Sequence, residues 1–216
     1  MLLAINTAFM TANLGIETAK GDVLLKELDA KSKHSENVLK TIDEMCQESN
    51  TDINDIESLA VVVGPGSFTG LRIGTAIAQA LGCANKKLKF IKLTSLELMA
   101  YIIVKNKLNS EDFVCVINAL SNLFFVCHFD KNGIKLSAEE IIDKQAFESL
   151  KQEKFALNGD VQAEGINYIE ITSESLFEFS KSKEIAKEFV TQSEMLPIYL
   201  RLSQAEDNLL KKSKKD

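Results

Sequence analysis

The segment Val61-Val-Val-Gly-Pro-Gly-Ser-Phe-Thr-Gly-Leu-Arg-Ile-Gly74 has the residue types and spacing that could do chemistry. A β-branched run ends in Gly64-Pro65-Gly66, and a helix is predicted to start at Ser67. The first N–H groups of a helix have no internal partners, and the helix dipole adds partial positive charge there. Such a junction can hold an anion. Gly64 and Gly66 allow backbone conformations and close approaches barred to other residues, and Ser67 is a residue type that caps helices. The segment is not a Walker A loop, because Leu71-Arg72 follows Gly70 where that motif needs Lys-Ser/Thr. It is not G-x-G-x-x-G either. The same turn could equally fold tightly and do no more than cap a helix.

The predicted helix, from Ser67 to about Asn85, carries Gly70, Gly74, Ala78 and Gly82 at every fourth position. Each helix glycine costs about 1 kcal/mol relative to alanine, so a ridge of them implies a compensating close contact. Ile73, Ile77, Leu81 and Ala84 form a second apolar stripe. A helix small or apolar nearly all round is buried on several sides. Burial beneath the sheet layers and contact with a second subunit are both open. On the second reading a bulky residue at Gly74 would block docking and leave the chain folded.

Other elements must position this junction. Strands are expected at Leu2–Asn6, Thr11–Thr18 and Asp22–Leu28, the last two joined by a turn at Lys20-Gly21-Asp22. Three strands in a row suggest an antiparallel meander. A helix from about Ser35 to Gln47 shows the apolar stripe Val38, Leu39, Ile42, Met45, Cys46. Leu59–Val63 reads as a strand buried on both faces. Phe90–Leu93 is a further strand, and a helix runs from Ser95 to about Val104. The second half repeats the grammar: strands at Val114–Asn118 and Leu123–Phe129, a helix near Lys144–Leu150, a strand at Phe155–Leu157 and a helix at about Glu174–Phe189. Two related α/β lobes are expected, residues 1–105 and 106–216. The closing segment near 196–201 could pack back on the first lobe, and 211–216 should be a frayed tail.

Composition limits the function classes. The chain has 216 residues, 45% hydrophobic and 26% charged, with two prolines, so it is globular rather than disordered. A net charge of −6 argues against a nucleic-acid-binding face of its own; only Lys211-Lys-Ser-Lys-Lys215 is basic. The cysteines, Cys46, Cys83, Cys115 and Cys127, lack zinc spacing and read as reduced thiols of a cytoplasmic protein. No run approaches the ~20 apolar residues of a membrane span.

The 63–74 segment resembles the signature of the TsaB (YeaZ) family. Leu3-Ala-Ile-Asn-Thr-Ala8, His34-Ser-Glu-Asn-Val-Leu39, Leu93-Thr-Ser-Leu96, Val116-Ile-Asn-Ala119 and Pro197-Ile-Tyr-Leu-Arg201 follow in the family's order. The resemblance implies a two-lobed actin/Hsp70-like (ASKHA) α/β fold, each lobe a mixed sheet flanked by helices. It implies a non-catalytic subunit that supports the paralogue TsaD together with the ATPase TsaE. That paralogue threonylcarbamoylates the adenosine next to the anticodon in tRNAs reading codons that begin with A, so tRNA would be met only through the complex. The family also forms homodimers through first-lobe helices, the faces that meet TsaD. The partner or dimer surface is thus expected at Val38, Ile42, Met45, Gly70, Ile73, Gly74, Ile77, Ala78 and Leu81.

The same comparison argues against catalysis. The metal-binding paralogue carries H-x-x-x-H on a helix, two imidazoles on one face, whereas Ser95 and Met99 stand at those places here. His34 and His128 are the only histidines and are remote in sequence. No metal site and no intrinsic cofactor are expected. A weak nucleotide contact, ATP or ADP at the interface with TsaD, would draw on Asn6, Gly64, Gly66, Ser67, Thr69 and Arg72. Asn6 stands where many relatives have Asp and lacks its charge. Leu120 stands where many have Arg, which removes a phosphate clamp. Arg72 and Arg201 remain as cations. The alternative is an actin-like ATPase or sugar-kinase-like enzyme with a degraded phosphate site, for which Asp22, Asp160 and Glu164 are the available acids. A glycoprotease reading finds no H-E-x-x-H and no triad signature.

Overall fold

The computed structural model describes residues 1–29, 34–151, 156–159 and 166–200. Strands β1 (Leu2–Asn6), β2 (Ala12–Glu17) and β3 (Val23–Leu28) form the antiparallel meander. The β2–β3 turn closes where Gly21 takes φ +86° and the Thr18 hydroxyl accepts the N–H groups of Lys20 and Asp22. Strands β4 (Ser58–Val62) and β5 (Lys89–Leu93) add in parallel on the other side of β1, giving the order β3-β2-β1-β4-β5.

The second sheet repeats this topology. It contains β6 (Phe113–Asn118), β7 (Leu123–Phe129), β8 (Glu140–Asp143), β9 (Ala156–Gly159) and β10 (Ile166–Tyr168). β6-β7-β8 is an antiparallel meander and β9 and β10 add in parallel, so the order is β10-β9-β6-β7-β8.

Among the described residues, five α-helices make three layers around the two sheets. Helices α1 (His34–Glu48) and α2 (Phe68–Ala84) cover the outer face of the first sheet. Leu3, Ile5, Leu59 and Val61 point towards them and meet Val38, Ile42, Met45, Ile77 and Ala78. The alternate residues Leu2, Ala4, Ala60 and Val62 point the other way, as the period of two demands. They join helices α3 (Ser95–Lys105) and α5 (Ser173–Ile185) and the Phe113, Cys115 and Ile117 face of the second sheet in one core. Helix α4 (Lys144–Leu150) covers the far side of that sheet through Phe147 and Leu150.

Three features differ from the sequence reading. Strands β8 and β10 were not expected: four and three residues are too short to display an alternation. The last helix stops at Ile185, not near Phe189. Lys187 takes φ +57°, and the N–H of Glu188 returns to the Lys183 carbonyl, a left-handed cap that ends the helix. Finally, helix α5, expected in the second lobe, packs on the first sheet and on α3; the closing segment runs back along α2, with the Ile198 N–H on the Val63 carbonyl. A thirteen-residue helix with Leu176, Phe177 and Phe179 on one side needs an apolar bed, and it finds one between the sheets.

Candidate functional site

The glycine turn is closed by protein. Ser67 N–H donates to the Ala8 carbonyl at 2.8 Å, and the Gly64 carbonyl accepts the Ser95 N–H at 2.8 Å. The Ser67 hydroxyl accepts Gly70 N–H at 3.3 Å, the expected N-cap. The Thr7 hydroxyl donates to the Gly70 carbonyl at 2.6 Å. This loop between β1 and β2 lies so close to α2 that a Cβ on Gly66 would stand 2.5 Å from the Ala8 carbonyl oxygen. A Cβ on Gly70 would overlap the Thr7 carbonyl oxygen, and one on Gly74 would stand 2.8 Å from the Thr7 hydroxyl. The glycines therefore exist for a contact within the chain.

Asn6 is fully buried, and both ends of its amide are hydrogen-bonded. Its Nδ2 donates to Asn13 Oδ1 at 3.0 Å, and its Oδ1 accepts the Ala8 N–H at 3.0 Å. Asn13 Nδ2 donates onward to Glu27 Oε1 at 3.4 Å and to the Ile171 carbonyl at 3.3 Å. The same Glu27 oxygen accepts the Ser173 N–H at 2.9 Å, which places a carboxylate at the positive end of α5. The chain Asn6–Asn13–Glu27–Ser173 ties three strands of the first sheet to the start of α5. A phosphate or a metal ion aimed at Asn6 would have to break it.

Of the six residues expected near a nucleotide, only Ser67, Thr69 and Arg72 present exposed side chains. Arg72 is already engaged: its guanidinium lies 4.1 Å over the Phe68 ring, and Nε donates to the Tyr199 hydroxyl at 3.0 Å. Arg201, Asp160 and Glu164 lie outside the described residues, as does the Lys211–Lys215 tail. Asp22 sits in the β2–β3 turn, at the opposite end of β2 from Asn13, and so cannot join a phosphate site there.

The donor set at the paralogue's metal position does not fit a metal. Ser95 and Met99 are both fully buried in the apolar core between the sheets, with no imidazole beside them. Among the described residues no three His, Cys, Asp or Glu side chains converge. Beside β6, the turn Leu120-Ser121-Asn122 has three successive positive φ angles, 62°, 54° and 59°. The Asn118 side chain steadies it by accepting the Leu120 N–H at 2.9 Å, and the Leu120 side chain is exposed.

Most of the expected partner surface is packed inside the chain. Val38, Ile42, Met45, Gly70, Gly74, Ile77 and Ala78 are all buried within the chain. Only Ile73 and Leu81 are partly exposed. Periodicity shows which residues share a face, not what covers that face, and the most apolar face is the one a core claims first. A bulky residue at Gly74 would strike Thr7 and Val61, so it would perturb folding rather than docking alone. The outward residues of α2 are Thr69, Arg72, Ala76, Ala80, Cys83 and Ala84, the middle of them small, with exposed Leu39 on the neighbouring α1. No spacing signal in the sequence distinguishes this weaker stripe from the stronger one.

A cavity of about 300 Å³ lies between the end of α3 and the start of α5, lined in part by Lys105, Tyr168, Glu170 and Glu178. It contains none of the expected site residues, and its Lys105 and Glu178 pair with each other. Burial raises the thiol pKa of Cys115 well above its ordinary value and pushes Cys127 up to about 11. Neither thiol is a nucleophile near neutral pH. No helix among the described residues is long and apolar enough to cross a membrane.

Comparison with known proteins follows the same lines. The family model for TsaD, tRNA N6-adenosine threonylcarbamoyltransferase, matches residues 28–205. The TsaB protein of tRNA threonylcarbamoyladenosine biosynthesis in Haemophilus influenzae is 32% identical over 121 residues, which cover 56% of this chain and 50% of that protein. A tRNA N6-adenosine threonylcarbamoyltransferase of Staphylococcus saprophyticus is 41% identical over 58 residues, 27% of this chain and 17% of that one. The match spans about half the length of the first TsaB relatives. The solved structure of YeaZ from Pseudomonas aeruginosa superposes with a TM-score of 0.71 at 17% identity, covering 92% of this chain and 99% of that one, so the fold is the actin-like ASKHA fold. The chain belongs to the TsaD family of tRNA threonylcarbamoyladenosine proteins, in its TsaB/YeaZ branch.

Proposed function

We propose that the chain is a non-catalytic, cytoplasmic subunit of the tRNA threonylcarbamoyladenosine machinery. It docks a TsaD-like paralogue through the outer face of α1 and α2. The TsaE-like ATPase acts on the assembled complex, and tRNA is met through that complex. In the absence of the paralogue the same face closes a homodimer. One observation carries the reading: the chain keeps the family's fold while both chemical corners are converted to packing. Asn6 is consumed by Asn13 and Ala8, and the Ser95–Met99 position is buried in an apolar core. What remains on offer is a surface. Leu39, Ala76, Ala80 and Cys83 form a shallow face onto which another helix pair can pack closely. A nucleotide held at that interface would meet Ser67, Thr69 and Arg72 from this side.

The test is co-purification. Ala76→Arg with Ala80→Arg puts two long cations on exposed helix positions. The variant chain should fold as the parent does and lose its paralogue. Threonylcarbamoyladenosine in tRNA, measured by mass spectrometry in cells that depend on this chain, should fall in parallel. An intact complex in the double variant would move the docking surface elsewhere.

A further inference from the structure

We propose that residues 190–199 are a brace that fixes the position of helix α2, and that paralogue affinity depends on it. The inference rests on the docking reading above. The strap begins at the free edge of the first sheet, where Val190 N–H donates to the Phe90 carbonyl at 2.9 Å and so pairs the edge strand at one position. It then runs along α2 in the opposite direction and grips the helix at three levels.

Near the C-terminal end, the Gln192 amide fills the space beside Gly82, where a Cβ would stand 2.6 Å from it. Gln79 and Gln192 exchange hydrogen bonds: Gln79 Nε2 donates to the Gln192 carbonyl at 2.9 Å, and Gln192 Nε2 donates to the Gln79 carbonyl at 2.9 Å. In the middle, Met195 is fully buried with Ile77 and Ala78, and its carbonyl accepts a further bond from Gln79. At the N-terminal end, Ile198 N–H donates to the Val63 carbonyl at 2.8 Å. The Tyr199 ring stacks on Phe68 at 4.5 Å, and Arg72 closes the buckle over Phe68 to the Tyr199 hydroxyl.

These contacts fall beside the outward stripe and leave Ala76 and Ala80 open; besides the Tyr199 bond to Arg72, Gln192 Nε2 reaches it, 3.6 Å from Cys83 Sγ. The strap thus sets how α2 is seated and touches what α2 displays at Arg72 and Cys83. A helix rich in glycine has little propensity to hold its own shape, so an external restraint along its length is what keeps its surface in one arrangement.

The experiment uses the full chain with Gln192→Ala and Tyr199→Ala combined, which spares the buried Met195. Hydrogen exchange of the α2 amides should accelerate roughly tenfold, the change that loss of about 1.4 kcal/mol produces. The dissociation constant for the paralogue should rise by a similar factor. Unchanged α2 exchange overturns the brace, whatever binding does. Faster exchange with unchanged affinity overturns its coupling to docking. If the Ala76→Arg, Ala80→Arg variant also binds normally, it is the docking reading that has failed.

Discussion

Gly70→Ala separates two accounts of the glycine ridge by the sign of its effect. If the ridge faced a partner, alanine would stabilise the isolated chain by about 1 kcal/mol through helix propensity. The structure predicts the opposite. The new Cβ would overlap the Thr7 carbonyl oxygen, a backbone atom that cannot rotate away. Non-bonded atoms rest about 3.5 Å apart, so the β1–β2 loop and α2 must separate by roughly 1 Å or more. Overpacking of this kind costs about 1–3 kcal/mol. The separation also strains the 2.6 Å bond from Thr7 to the Gly70 carbonyl and the 2.8 Å bond from Ser67 to Ala8, each contributing about 1 kcal/mol. After subtracting the propensity gain, the net loss is about 3 kcal/mol, a fall in Tm of about 6–12 °C for a chain of this size. The chain has no tryptophan, so urea unfolding is best followed by far-UV circular dichroism. Gly21→Ala is the comparison: its Cβ would meet open space, and only the positive φ costs it, about 1–2 kcal/mol. A Gly70→Ala chain as stable as the parent, or more so, would refute the intrachain contact.

Asn13→Ala should cost about 2 kcal/mol in the same assay, because it strands the buried Asn6 amide and removes the Asn13 bond to the Ile171 carbonyl, while Glu27 keeps its bond to the Ser173 N–H. Native maleimide labelling at pH 8 should modify Cys83 alone and reach Cys46, Cys115 and Cys127 only after denaturation, since these three are buried; mass spectrometry counts the adducts. The Thr191 hydroxyl and N–H hold the Glu194 carboxyl below its ordinary pKa. A depressed carboxylate stabilises above its unfolded value and loses that contribution as pH falls through the folded one. Exchange at residues 191–195 should therefore rise selectively below about pH 4.5, the upper edge of that window.

Most of the scaffold was legible because its signals are local. The β1 and β7 limits, the Ser67 cap and the Lys144–Leu150 helix follow from runs, turn residues and capping types read over a few positions. The meander at the start followed from three consecutive strands with a glycine turn. What the sequence could not show is which surface covers which. Gly70, Gly74 and Gly82 correctly announced close contacts, but their partners are Thr7 and Gln192, 63 and 110 positions away in the chain. Asn6 read as a weakened phosphate ligand, because nothing in the spacing reveals that Asn13 and Ala8 will absorb its hydrogen bonds. Arg72 read as a free cation for the same reason; its aromatic partner Tyr199 is 127 residues on.

The repeated topology sharpens the functional argument. Each sheet opens with an antiparallel meander, and the first turns, after β1 and β6, occupy equivalent places in the two halves. Ala8 and Ala119, one from each turn, lie in the single core between the sheets. An enzyme of this architecture would need a polar, hydrated gap there with charges to grip phosphate. In this chain, α3 and α5 fill the space with Leu96, Met99, Leu176 and Phe177, while Asn6 and Asn118 spend their side chains on their own turns. Filling a gap with apolar side chains stabilises the fold and leaves less room for a charged ligand there. On the subunit reading proposed above, function rests on the surface, so the exposed stripe of α2, and the strap that seats it, are where changes of function should be sought.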